Sequence, residues 1–162
     1  MALAVVTACL AAPPAHAILG VSVPSSSTLS PALFPGRTSS ATAFNIAVLS
    51  TTGSWSLSVD DANRSLGTPG RLRKAATQAC SGSATALTNP LALATTAVGS
   101  GVVVDRSSYQ LGTLSPGLIA HGGSLLVTTN AVSVALSQPV VEADRLTANC
   151  SYSTSLVWTL TG

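Results

Sequence analysis

Few side chains in this sequence could do chemistry, and the two tryptophans come first. Trp55 lies in Ser54-Trp55-Ser56-Leu57-Ser58-Val59. Trp158 lies in Tyr152-Ser153-Thr154-Ser155-Leu156-Val157-Trp158-Thr159-Leu160. Each opens a Trp-x-Leu tripeptide, and the chain has no other tryptophan. An exposed indole offers a flat π face on which the CH groups of a sugar ring can stack. Both tryptophans also fall on the apolar side of an alternating stretch, and that periodicity predicts that they pack in a core. On this reading the tripeptides mark the fold, and the ligand-binding face is unknown.

The other candidates are weaker. Asp60-Asp61-Ala62-Asn63 gathers oxygens, but calcium takes six to eight oxygen ligands, so a solvated turn is expected. Consecutive carboxylates at a strand end point to opposite sides, so they are not an acid/base pair for glycoside hydrolysis. His121 stands in Ile119-Ala120-His121-Gly122-Gly123, read as a turn. No Gly-x-Ser-x-Gly elbow accompanies it, and if the leader carrying His16 is removed, His121 alone cannot make a multi-histidine metal site. Arg71, Arg73 and Lys74 form the only local basic cluster, which is expected to be a solvated loop. No catalytic constellation, metal site or cofactor is expected.

With 162 residues the chain suits one domain. Only 7% of residues are charged and the net charge is +2, so there is neither a basic stripe for nucleic acid nor an acidic tail. The surface must therefore be built from Ser, Thr, Asn and Gly. Residues 1–17 read as an export leader: Ala2 to Ala12 is apolar, and Ala15-His16-Ala17 has the small-x-small form of a cleavage site. No Lys or Arg precedes the apolar stretch, so either the true start lies upstream of Met1 or the signal is atypical. Val6-Thr7-Ala8-Cys9 is a rival site, shaped like a lipobox. Nothing after residue 17 is apolar for long enough to span a bilayer. In an oxidising compartment Cys80 and Cys150 are expected to pair, and closing that long loop would stabilise the fold by about 4 kcal/mol.

The elements that must position these residues read as short strands. Leu19 to Val23, Phe44 to Val48 and Trp55 to Val59 alternate, and the last two read as a hairpin joined by Ser50-Thr51-Thr52-Gly53. Leu72 to Ala79 reads as a turn or two of helix. Further strands are expected at 91–97, 101–105, 109–114, 124–129, 132–136 and 151–160, separated by Gly and Pro. In the last of these, Tyr152, Thr154, Leu156, Trp158 and Leu160 share one face. Short strands at regular spacing predict an all-β antiparallel sandwich, Ig-like or Greek-key in type, over residues 18–162.

The twin tripeptides resemble those of the WxL family, cell-wall-associated surface proteins of Gram-positive bacteria. Trp55-Ser56-Leu57 looks like the family's proximal motif. Tyr152 through Leu160 looks like its C-terminal one, with the same Tyr-to-Trp spacing but Ser155 and Val157 where the family usually has Thr. The resemblance implies non-covalent attachment to the cell surface through peptidoglycan, an extracellular wall-associated location, partnership with other surface proteins, and no catalysis. The positions it marks are Trp55, Leu57, Tyr152, Leu156, Trp158 and Leu160. A second expectation, from another class, is a structural subunit of a pilus or coat-like assembly, with the last strand exchanged at a sheet edge.

Overall fold

Alternating apolar and hydroxyl side chains make nearly every element of this protein a strand. The computed structural model describes residues 17–30, 32–51, 53–76, 80, 82–147 and 150–162. Apart from Ala17, the expected leader lies outside the described residues, and so does Cys9. The strands in chain order are β1 (Leu19–Ser22), β2 (Leu29–Ser30), β3 (Thr38–Ala41), β4 (Phe44–Ser50), β5 (Trp55–Asp61), β6 (Arg71–Lys74) and β7 (Ala86–Pro90). They continue with β8 (Ala92–Ala97), β9 (Val102–Val104), β10 (Ser108–Gln110), β11 (Gly117–Gly122), β12 (Leu125–Pro139), β13 (Tyr152–Ser153) and β14 (Leu156–Thr161). Among the described residues the only helical piece is a 3-10 turn at Arg64–Leu66.

All pairings are antiparallel. The first sheet is built on β12, a 15-residue strand. β4 and then β3 run along one of its edges, and β8 runs along the other. β1 and β2 add outside β4 and β3, and β10 adds outside β8. The second sheet has the order β14-β5-β11-β9, and the third β13-β6-β7. The first two sheets pack through one apolar cluster, in which Ile46, Val48, Val132 and Val134 meet Trp55, Leu57, Val59 and Ile119. Each such side chain contributes roughly 1.5–3 kcal/mol on burial. A smaller cluster of Leu72, Leu87 and Val140, with Leu33 and Tyr152 against it, lies beside the third sheet. The expected all-β sandwich is therefore present.

Four local expectations are corrected. β4 and β5 are not a hairpin: β4 pairs with β1 and β12, while β5 pairs with β11 and β14. Their apolar faces meet across the core instead of lying side by side. The strands expected at 124–129 and 132–136 run together as β12, whose register against β4 shifts on either side of the paired Thr129 and Asn130. Leu72 begins no helix. It is the buried position of β6, with Arg71 and Arg73 flanking it, and residues 77–79 lie outside the described residues. The strand expected at 151–160 is two strands in different sheets, since β13 pairs with β6 and β14 with β5.

Candidate functional site

The place where the last segment leaves one sheet for another is held by a carboxylate. Leu156 stands opposite Asp61 at the end of β5, while Ser153, three residues earlier, stands opposite Arg73 on β6. Asp61 is buried. Its Oδ1 accepts hydrogen bonds from the Asn63 N–H (2.9 Å) and the Thr154 hydroxyl (3.1 Å), and its Oδ2 accepts one from the Gly70 N–H (2.6 Å). Gly70 has a φ of 74°, a left-handed conformation that glycine adopts without strain. The Ala62 N–H adds a bond of 2.9 Å to the Ser155 carbonyl. The expected solvated turn at Asp60-Asp61 is thus half wrong: Asp61 is a buried structural anchor, because the sheet change leaves backbone donors that need an acceptor.

Asp60 points the other way, as neighbours on a strand must. It accepts from the Arg64 guanidinium at 2.9 and 3.0 Å and from the Ser115 hydroxyl. Burial by itself would raise the Asp60 carboxyl. The bonds from Arg64, Ser115 and the Asp61 N–H outweigh it and hold the carboxyl below its ordinary value.

Beside the crossing lies a groove of about 740 Å³, a size that accepts a small organic ligand. Trp158 and Phe44 line it and meet edge to face, with ring centroids 6.5 Å apart and planes at 88°. Leu29, Leu33, Leu72 and Leu136 extend this apolar lining. Ser25, Ser26, Ser27 and Thr28 form a hydroxyl-bearing wall on one loop, and Ser153, Thr154 and Ser155 line it from the last segment. The Tyr152 ring also lines the groove, but its hydroxyl donates to the Ala84 carbonyl at 2.8 Å. Cys150 lies on the wall and is joined to Cys80, with Cα atoms 6.0 Å apart.

The tripeptides divide between two environments. Trp55 and Leu57 are in the deep core, at 1% and 0% exposure. A Cβ on Gly122, the cross-strand neighbour of Trp55, would come within 2.7 Å of the indole, so only glycine fits there. Tyr152, Leu156, Trp158 and Leu160 are half-buried. Trp158 and Leu156 reach the groove, whereas Leu160 packs on the main core. Trp158 is thus a lining residue as well as a packing one, a difference from the sequence expectation. An edge strand leaves one side of each inward-facing residue uncovered.

The remaining candidates are dispersed. Arg71, Arg73 and Lys74 form no solvated loop. They lie on β6, where Arg73 donates to the Thr68 carbonyl at 2.9 Å and Lys74 to the Cys80 carbonyl at 3.0 Å. His121 is in β11, not in a turn, and its Nδ1 sits 2.9 Å from the Asp105 carboxylate on an exposed face. Among the described residues no three His, Cys, Asp or Glu side chains come together as metal ligands. Phe44 and the Ser25–Thr28 wall were missed in the sequence. The run of four hydroxyl residues was the available signal, but nothing in its spacing places it opposite Trp158.

No family model matches this chain, and neither the curated proteins nor the solved structures contain a match.

Proposed function

We propose that this chain is a secreted, non-catalytic cell-surface protein that binds the bacterial cell wall non-covalently through peptidoglycan. One observation carries the reading: Trp158, the aromatic of the C-terminal tripeptide, lines a groove whose walls bear clustered serine and threonine hydroxyls. A hydroxyl both donates and accepts, as a sugar hydroxyl does, and an indole face suits the CH side of a sugar ring. Co-sedimentation with purified peptidoglycan sacculi at physiological salt tests it. The protein should pellet with the sacculi, and Trp158→Ala should remain in solution. No co-sedimentation of the parent chain would end the reading.

A subunit of a surface assembly is the second reading. The second sheet terminates at β14 and β9, whose outward Val157 and Val103 are 46% and 51% exposed. Terminal strands with apolar outward residues are where strand addition occurs. Sedimentation velocity over a concentration series should then show growing oligomers, whereas a constant monomer argues against it.

A further inference from the structure

The charge content of the groove narrows its ligand. The chain has seven Lys or Arg and five Asp or Glu, and none of them lines the groove. Asp60 is engaged with Arg64 and Ser115, Asp61 and Asp144 accept backbone N–H groups, and Asp105 faces His121. Of the three cations on β6 beside the groove residue Leu72, Arg73 and Lys74 donate to backbone carbonyls, and Arg71, like them, does not line the groove. A phosphate, carboxylate or ammonium group entering the groove would lose water and gain no counter-charge, which is strongly unfavourable. An uncharged ligand has no such cost.

The two kinds of lining define the rest of that ligand. The walls are formed by the hydroxyl-bearing residues Ser25, Ser26, Ser27 and Thr28, with Ser153 and Ser155 at the last segment. The apolar part presents Leu29, Leu33, Phe44 and Trp158. A sugar ring bearing an acetamido group matches both. Its hydroxyls and amide exchange hydrogen bonds with the walls, its ring CH groups lie on the indole, and its acetyl methyl enters the leucine-lined part. We infer that the groove takes an uncharged, N-acetylated sugar chain and excludes the charged components of the wall. This rests on the peptidoglycan reading and specifies which part of the polymer is held.

The test uses the full chain and three soluble probes. These are a linear β-linked N-acetylglucosamine oligomer, the same oligomer with its acetyl groups removed (hence cationic), and a poly(glycerol phosphate) chain. Calorimetric titration should show binding of the acetylated oligomer that is unchanged between about 50 mM and 500 mM salt, because no ion pair forms. The deacetylated oligomer should bind at least about tenfold more weakly, the magnitude expected when a buried polar contact is lost or a charge is left unpaired. Trp158→Ala should weaken binding of the acetylated oligomer at least about tenfold, as loss of a stacking aromatic does. Ser26→Trp, on an exposed loop, should do the same with an unchanged unfolding midpoint, so a fold defect in the first variant does not decide the matter. Equal or tighter binding of either charged probe, or affinity that falls with salt, would overturn the inference. Pelleting with sacculi but no binding of the acetylated oligomer would also overturn it and leave wall attachment standing. Oligomer binding without pelleting would support it and remove the peptidoglycan reading.

Discussion

Leu57 and Leu160 are direct cross-strand partners, so the two Trp-x-Leu tripeptides on β5 and β14 meet at their leucines. Trp55 and Trp158 are not opposite each other. In an antiparallel pair with the leucines in register, the tryptophans fall at opposite ends: Trp158 faces Val59, and Trp55 pairs with Gly122 on the other neighbour, β11. That offset puts one indole in the core and the other at the groove.

Truncating the two leucines should cost different amounts. Leu57→Ala leaves a cavity in a fully buried site and should lower stability by about 3 kcal/mol. Leu160→Ala, half-buried on the terminal strand, should lose about half of that. Because the side chains are neighbours, the double variant should fall short of the sum by at least about 0.5 kcal/mol. Urea unfolding followed by tryptophan fluorescence measures all three.

Gly122→Ala should destabilise by about 1–3 kcal/mol, because the new methyl enters space held by the Trp55 indole. A Trp55→Leu background makes room, and there the same glycine change should cost much less. Equal costs in both backgrounds would show that the Trp55 ring does not set the requirement for glycine.

The anchor at the sheet change is tested with Asp61→Ala. It strips acceptors from Asn63, Gly70 and Thr154 and should cost about 3 kcal/mol, since buried donors are left without partners. Amide exchange in Leu156–Thr161 should rise before exchange in β12 does, because β14 docks through that crossing. Uniform acceleration across both strands would contradict an anchoring role.

Acid should weaken the fold partly through Asp60. Its carboxyl lies below the ordinary 3.8 in the folded protein, so its contribution is complete above that value and is lost as pH falls through the lower folded one. At about pH 7 Asp60→Asn should unfold at a lower urea midpoint than the parent, and the gap should narrow as pH falls below the ordinary 3.8 and through the lower folded value. A gap constant with pH would mean that the charge of Asp60 is not what stabilises.

Much of the architecture was legible in residue types. Period-two stretches around Phe44, Trp55 and Leu93 are strands because inward side chains at every second position have a core to enter. Cys80 and Cys150 are joined, the pairing expected of the two cysteines outside the leader stretch. The pair Asp60-Asp61 was harder. A polar residue in sequence looks solvated whether or not the fold later places backbone donors around it, as happens at Asp61. The groove was least legible, because it joins Ser25–Thr28, Phe44 and Trp158 from three distant stretches.

The sequence by itself determined which side chains face inward, since alternation is a local property of an extended chain. It also determined the low charge of the chain, only 7% of whose residues are ionised Asp, Glu, Lys or Arg. Only the tertiary structure decided which strands are neighbours. Hydrogen bonding between strands is non-local, and a strand's own pattern says nothing about the partner at its edge. That choice sends β4 and β5 to opposite sheets and splits the last segment at Thr154. It also leaves Trp158, unlike Trp55, with one side toward an uncharged groove.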